Sequence, residues 1–477
     1  MAKLEIARLF FYRWRYVIGY TVVGLLLAGL LVFAGLYVPG GISADEMRAA
    51  VRADSLSISN PETLAVTSMP FYAFQKLIFI LFGVSDFTIK LPSLIIALLS
   101  AIGLILLLRR WFKPNIAVLA SLIAVTTGQF LFVAQNGVPG VSYIFWPVVI
   151  LLLGTQVTRV TRLRVLWKWL FAAAVAMSLY TPLSIYPVIA IIVAVILHPH
   201  LRNAVRRLSK VKIAVGVLIA GIILTPLVFN IINHPQLGLT LLGVPASWPP
   251  DLLENLRTIG RQYLLFWQPS TTSLMTPVFG LGSTLLILLG LYHLIRTRET
   301  TRSYLVIIWL ICLIPVLILN PNFTSVTFIP AVLLLAAGLT SLIGYWYRLF
   351  PLNPYARIAG LLPLILLIFV LIGGGLDRYI FGYHYDPNTA VNFSKDLQLL
   401  PKDIKQVVVS ADEQPFYRVV EKYNKRGLEL TTQPTADEFV VTRAANTTFP
   451  GYAIDRIITT TYSQNADRFY VYKKVSQ

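Results

Sequence analysis

Two adjacent carboxylates stand in the segment Gly41-Ile42-Ser43-Ala44-Asp45-Glu46, just after a long apolar run. Carboxylates can take a proton or hold a cation, and an acid pair at the face of a membrane is unusual enough to suggest such a use. Local sequence also supports a structural reading. Ser43 is placed to cap a helix whose first turn holds Asp45 and Glu46 at the positive end of its dipole, with Met47 to Val51 continuing it. Among the basic residues, Lys90, Arg257 and Arg261 fall in or beside the long connections between apolar runs. Interfacial Lys and Arg snorkel toward headgroups in many membrane proteins, so each has a plain reading as well as a chemical one. The histidines form no metal constellation: His198 and His200 flank a proline, His293 sits in an apolar run, and His234 and His384 are isolated. The single cysteine, Cys312, lies inside an apolar run and reads as a packing residue.

These residues need a scaffold, and composition points to a bilayer. The chain has 477 residues, 56% hydrophobic and 13% charged, with a net charge of +19. That charge would suggest nucleic acid in a soluble protein. Here it sits between apolar runs, at Lys3, Arg8, Arg13 and Arg15, at Arg109, Arg110 and Lys113, at Arg159, Arg162, Arg164 and Lys168, and at Arg202, Arg206, Arg207, Lys210 and Lys212. Every second connection is basic, the positive-inside pattern, which accounts for the charge with no nucleic-acid partner. Spans are expected near 17–37, 91–108, 116–133, 141–157, 165–181, 184–198, 213–232, 278–295, 303–319, 326–346 and 358–375. The first is too long for a secretory signal and is expected to remain as a helix. About 11 spans and a basic N-terminus place that terminus in the cytoplasm and the C-terminal tail outside.

Two outside connections are long, 38–90 and 233–277, and each carries an amphipathic segment. In the first, Phe71, Phe74, Ile78 and Leu81 repeat at helical spacing with Gln75 and Lys76 opposite. In the second, Leu252, Leu256, Ile259, Tyr263 and Phe266 do so, with Glu254, Arg257 and Arg261 elsewhere on the turn. The tail alternates at 406–409, 439–441 and 469–472, and Glu413 to Lys425 has helical spacing ended by Gly427. The expected fold is therefore an all-α polytopic membrane domain, 1–376, followed by a small α/β extracytoplasmic domain, 377–477.

After the acid pair come Met69-Pro70-Phe71-Tyr72 and then Phe82-Gly83-Val84-Ser85-Asp86-Phe87-Thr88-Ile89-Lys90-Leu91-Pro92-Ser93. This order resembles the GT-C glycosyltransferases of the protein O-mannosyltransferase and aminoarabinose transferase type, with Lys90 where the phrase usually has arginine. The resemblance implies a GT-C-like fold and an enzyme of the cell membrane. Such an enzyme moves a hexosyl or pentosyl group from a polyprenyl-phosphate carrier to an extracytoplasmic protein, lipid or glycan acceptor, with inversion. It implies Asp45 as the general base that takes the acceptor hydroxyl proton, with Glu46 orienting it or sharing a divalent cation with it. The departing lipid phosphate calls for fixed cations, and Lys90, Arg257 and Arg261 are the outside-facing candidates. The sequence makes no cofactor certain. A cation held by carboxylates and lipid phosphate, like weakly bound Mg²⁺, is compatible with the pair, although no second acid cluster supports it.

One departure stands out. Where the family often has an arginine and a second aspartate, this chain reads Gln135-Asn136-Gly137-Val138-Pro139-Gly140-Val141-Ser142-Tyr143, with no carboxylate. A catalytically inactive lipid- or glycan-binding protein of the same fold is therefore the alternative. A transporter would predict repeated halves and ionisable residues at mid-span, and the sequence shows neither.

Overall fold

The computed structural model describes residues 10–36, 41–57, 59–157, 164–206, 209–245, 247–267, 270–271, 275–349, 354–383, 385–459 and 467–475. Lys3, Arg8, Arg159, Arg162, Arg207 and His384 lie outside them. All eleven expected apolar segments fall on helices: Phe10–Leu36, Asp86–Trp111, Pro114–Val125 with Gly128–Gln135, Ser142–Val157, Arg164–Ser178, Ile185–Leu197, Lys210–Asn233, Leu281–Arg296, Thr301–Leu319, Phe328–Leu349 and Pro354–Asp377. Among the described residues, six helices are long and apolar enough to cross a bilayer, or up to eight if each of two bent pairs is one span. Arg164–Ser178 and Leu281–Arg296, outside that count, have 15 and 16 residues. Ile185–Leu197 has 13 residues, which at 1.5 Å per residue covers about 20 Å, less than a full hydrocarbon core.

The segment expected as one span at 116–133 is broken. Pro114–Val125 and Gly128–Gln135 meet at 60°. Thr126 Oγ1 donates back to the Leu122 carbonyl (2.8 Å) and Thr127 Oγ1 to the Ala124 carbonyl (2.7 Å). Thr127 then caps the second helix by accepting from the Phe130 N–H, so two adjacent hydroxyls end one helix and start the next. Every residue of Gly128–Gln135 is buried. The break thus carries the polar side chains of Gln129 and Gln135 into the protein interior.

Each long connection expected outside folds largely as helices. The first holds Ala44–Ser55 and Met69–Phe82, and the second Pro235–Leu242, Leu252–Leu264 and a short hairpin pairing Ser270–Thr271 with Met275–Thr276. Met69–Phe82 reverses part of the expected pattern. Gln75 is buried, and its Nε2 donates to the carbonyls of Ile89 (3.1 Å) and Gly137 (3.2 Å), whereas Leu77, Ile80, Leu81 and Phe82 are exposed. Lipid is the reason: an apolar side chain gains little by facing inward when the surroundings are apolar, while an amide must find partners inside the protein.

In the tail, a five-stranded sheet has the order Glu429–Thr431, Gln406–Val408, Glu438–Thr442, Arg468–Lys474, Tyr452–Thr459. The first three strands are parallel and the last two pairings antiparallel. The helix Gln414–Asn424 makes the crossover between the first two strands in sequence, burying Phe416, Tyr417, Val419 and Val420. The α/β tail is as expected, with Glu429–Thr431 and Tyr452–Thr459 as additional strands.

Candidate active site

The acid pair opens the helix Ala44–Ser55, and its two members have opposite surroundings. Ser43 is the N-cap: its hydroxyl accepts from the Glu46 N–H (3.2 Å), and Glu46 Oε2 accepts from the Ser43 N–H (2.7 Å), a reciprocal capping box. Glu46 Oε1 accepts from the Gly137 N–H at 2.6 Å and lies 3.7 Å from Lys90 Nζ. Neither side chain of that ion pair is more than 2% exposed. Asp45, one residue earlier, is 58% exposed and pairs at 2.5 Å with Arg48, itself 70% exposed. The structural reading of the pair therefore belongs to Glu46, and Asp45 has no part in the capping box.

Lys90 is enclosed. Its Nζ donates to Gln135 Oε1 (3.2 Å) and lies 5.3 Å from the Phe393 ring centre, while Gln135 Nε2 donates to the Tyr383 hydroxyl (2.9 Å). Gly137 joins these groups because only glycine fits there: a Cβ would stand 2.7 Å from the Ile89 carbonyl oxygen. The turn at 135–143, which carries no carboxylate, is thus bonded directly to Glu46 of the acid pair.

Arg257 and Arg261 are elsewhere. Both are exposed on the Leu252–Leu264 helix and both reach Glu254, at 3.1 and 3.7 Å. The structure brings Lys90 to Glu46 and the two arginines to each other through Glu254, and it does not bring the three cations together. A cation shared by Asp45 and Glu46 does not fit, since Glu46 Oε1 and Oε2 accept backbone N–H groups with Lys90 alongside, and Asp45 faces Arg48. Among the described residues, no three His, Cys, Asp or Glu side chains are grouped to hold a metal ion.

The tail holds the acid-pair helix at both ends. At its start, Ile42 and Lys395 exchange backbone hydrogen bonds, with the Ile42 N–H donating at 2.7 Å. Lys395 Nζ pairs with Glu413 and lies 3.8 Å from Asp467, whose carboxyl burial holds above the usual range against the pull of Lys395. At its end, Asp54 Oδ1 accepts from Lys422 Nζ (2.6 Å) and the Tyr423 hydroxyl (2.8 Å). Asn424 exchanges two hydrogen bonds of 2.7 Å with the backbone of Val84. Local sequence gives little sign of Gln135, Tyr383, Phe393, Lys395 or Asn424. The Asn136-Gly137 step in an otherwise apolar stretch was the available signal for the turn.

A helical domain with an acid after its first long helix and a small sheet domain following it shares the GT-C fold of the solved structures it resembles. Residues 67–229 match the family described as dolichyl-phosphate-mannose-protein mannosyltransferase. That match begins after the acid pair. The chain is similar to the crystal structure of ArnT from Cupriavidus metallidurans bound to undecaprenyl phosphate, with a TM-score of 0.53 and 14% identity over 97% of this chain and 99% of that one. The apo structure of that ArnT gives a TM-score of 0.51 and 14% identity over 96% and 98%. The Archaeoglobus fulgidus oligosaccharyltransferase tethered to an acceptor peptide containing the NVT sequon gives 0.51 and 13% identity, over 86% of this chain and 64% of that one. No curated protein matches the sequence.

Proposed function

We propose that this protein is an inverting glycosyltransferase that moves a sugar from a polyprenyl-phosphate carrier to an extracytoplasmic acceptor, with Asp45 as general base. The observation that carries this reading is the division of labour in the acid pair. Glu46 is consumed by the capping box, Gly137 and Lys90, whereas Asp45 keeps an exposed carboxylate fixed on the first turn of a helix clamped at both ends. In the step proposed, the acceptor oxygen forms a bond to the anomeric carbon while its proton passes to Asp45. The bond from that carbon to the phosphate oxygen breaks, and the polyprenyl phosphate leaves with the electron pair. Glu46 is a positioning residue, and Lys90 balances its charge from behind.

Arg257 and Arg261 are the proposed cations for the departing phosphate, on a helix whose Leu252, Leu253 and Leu256 are exposed toward the expected interface. The ArnT bound to undecaprenyl phosphate supports a lipid carrier, and the oligosaccharyltransferase with its acceptor peptide supports an acceptor outside the cytoplasm. We place the N-terminus in the cytoplasm and the tail outside, in the cell membrane. Transfer of radiolabelled sugar from a panel of polyprenyl-phosphate donors in reconstituted membranes tests the reading. The absence of a carboxylate from 135–143 favours the second reading, a lipid- or glycan-binding protein without transfer, and a preparation that binds polyprenyl phosphate but transfers nothing would establish it.

A further inference from the structure

A cavity of about 110 Å³ opens beside the turn that lacks the acid, lined by Phe132, Val133, Asn136, Val138, Tyr143 and Ser325, with Gly140 and Asn322 at its edge. No charged residue lines it. Asn136 is 8% exposed, and its Oδ1 is buried without a hydrogen bond. Leaving such an acceptor unsatisfied is unfavourable, so a donor is the group this oxygen lacks. Ser325 is also buried. Its hydroxyl oxygen accepts from Gln129 Nε2 (3.2 Å), and Gln129 is fixed in turn by accepting from the Met275 N–H (3.1 Å), which leaves the Ser325 proton free to be given. Tyr143, packed edge-on against Phe323, and Phe132 supply aromatic wall. The cavity lies beside Gly137, which Asn136 and Val138 flank and whose N–H binds Glu46.

This combination selects by charge. An ammonium entering the cavity would lose water with no carboxylate to receive it, and a phosphate would find no cation. A sugar ring presents hydroxyls that donate and accept, and apolar C–H faces that pack on aromatic rings. We propose that this cavity holds one neutral, hydroxyl-bearing sugar ring, with Asn136 Oδ1 accepting from one hydroxyl and Ser325 donating to another, and that it discriminates against cationic amino sugars. The proposal rests on the glycosyltransferase reading and names the substrate class of that site. The ring can belong to the lipid-linked donor or to the acceptor.

The test is equilibrium binding to the full chain in nanodiscs. The probes are polyprenyl phosphate alone, polyprenyl phosphate carrying a neutral hexose, a free methyl hexoside, and the methyl glycoside of an amino sugar. The wild type should prefer the neutral glycoside to the amino one. Asn136→Leu should weaken neutral-sugar binding about tenfold, the worth of a buried hydrogen bond, while leaving polyprenyl phosphate alone unaffected. Asn136→Asp should reverse the preference toward the amino sugar. A loss confined to the lipid-linked sugar assigns the ring to the donor, and one confined to the free glycoside assigns it to the acceptor; both support the cavity. Unchanged sugar binding in Asn136→Leu, or unchanged discrimination in Asn136→Asp, overturns it. If Asn136→Leu does not fold, Ser325→Ala carries the same comparison, and an unaltered sugar affinity there is equally decisive against it. A wild type that binds sugar through these residues yet transfers none refutes the transferase reading alone, whereas one that transfers while Asn136 variants bind normally refutes only the cavity.

Discussion

Glu46 and Lys90 stand 3.7 Å apart inside the protein, on two different elements, with neither exposed by more than 2%. A charge pair so enclosed stabilises little compared with an apolar pair of the same shape, but removing one partner leaves the other uncompensated, at about 3–5 kcal/mol. Glu46→Gln and Lys90→Met should therefore each lower the unfolding temperature sharply. The double variant should lose much less than the sum, because it removes both charges. Thermal unfolding of the four proteins in detergent measures this, and strictly additive losses would show that the two residues do not act as a pair.

The tail is expected to hold the acid-pair helix in place. Lys422→Ala with Tyr423→Phe removes both tail hydrogen bonds to Asp54 Oδ1, inside that helix. Amide exchange in residues 41–57 should accelerate by about tenfold or more, with exchange in the helix Phe328–Leu349 unchanged. If protection at 41–57 stays as in the wild type, the tail packs on this helix without holding it.

Much of this architecture could be read from the chain itself. The apolar runs, the basic connections, the Ser43 cap and three tail strands each depend on residues within one or two turns of one another. What could not be read depends on contacts between distant segments: Gly137 reaches back to Glu46, Gln135 forward to Tyr383, and Asn424 back to Val84. The helical pattern puts Gln75 outward, as it would in water, and the bilayer inverts it. In the sequence the turn at 135–143 shows the acid it lacks and an Asn-Gly step, and its buried amides become visible only in the folded chain.

The topology prediction follows from the alternation of basic and uncharged connections. A cysteine introduced at Asn446, in a chain whose single cysteine Cys312 lies in the Thr301–Leu319 helix, should react with an impermeant thiol reagent on intact cells. Reaction only after permeabilisation would reverse the orientation and remove the long connections from the donor side.

Arg257 and Arg261 share Glu254, and all three side chains are at least half exposed, so the present pairs are worth about 1 kcal/mol or less. A lipid phosphate can replace that carboxylate at little cost. Replacing both arginines with alanine should weaken polyprenyl-phosphate binding about tenfold or more and flatten its salt dependence, and Glu254→Gln should strengthen it by removing the competitor. Equal affinities in all variants would return these cations to snorkelling.

Asp45→Asn should abolish sugar transfer while leaving folding and donor binding nearly intact. The substitution keeps the shape of the side chain and removes its ability to take a proton, and general-base assistance is typically worth about 10² to 10⁴ in rate. Its folding cost should be small: the capping box belongs to Ser43 and Glu46, and Asp45's own pair with Arg48 is a surface pair worth about 1 kcal/mol at most. Arg48→Ala separates the two contributions, since it breaks the same pair without touching the carboxylate and should leave most of the transfer rate. A loss of less than a few-fold in Asp45→Asn would remove the base from this residue. Complete loss in Glu46→Gln with Asp45→Asn tolerated would move it to Glu46, against the enclosure of that carboxylate by Ser43, Gly137 and Lys90.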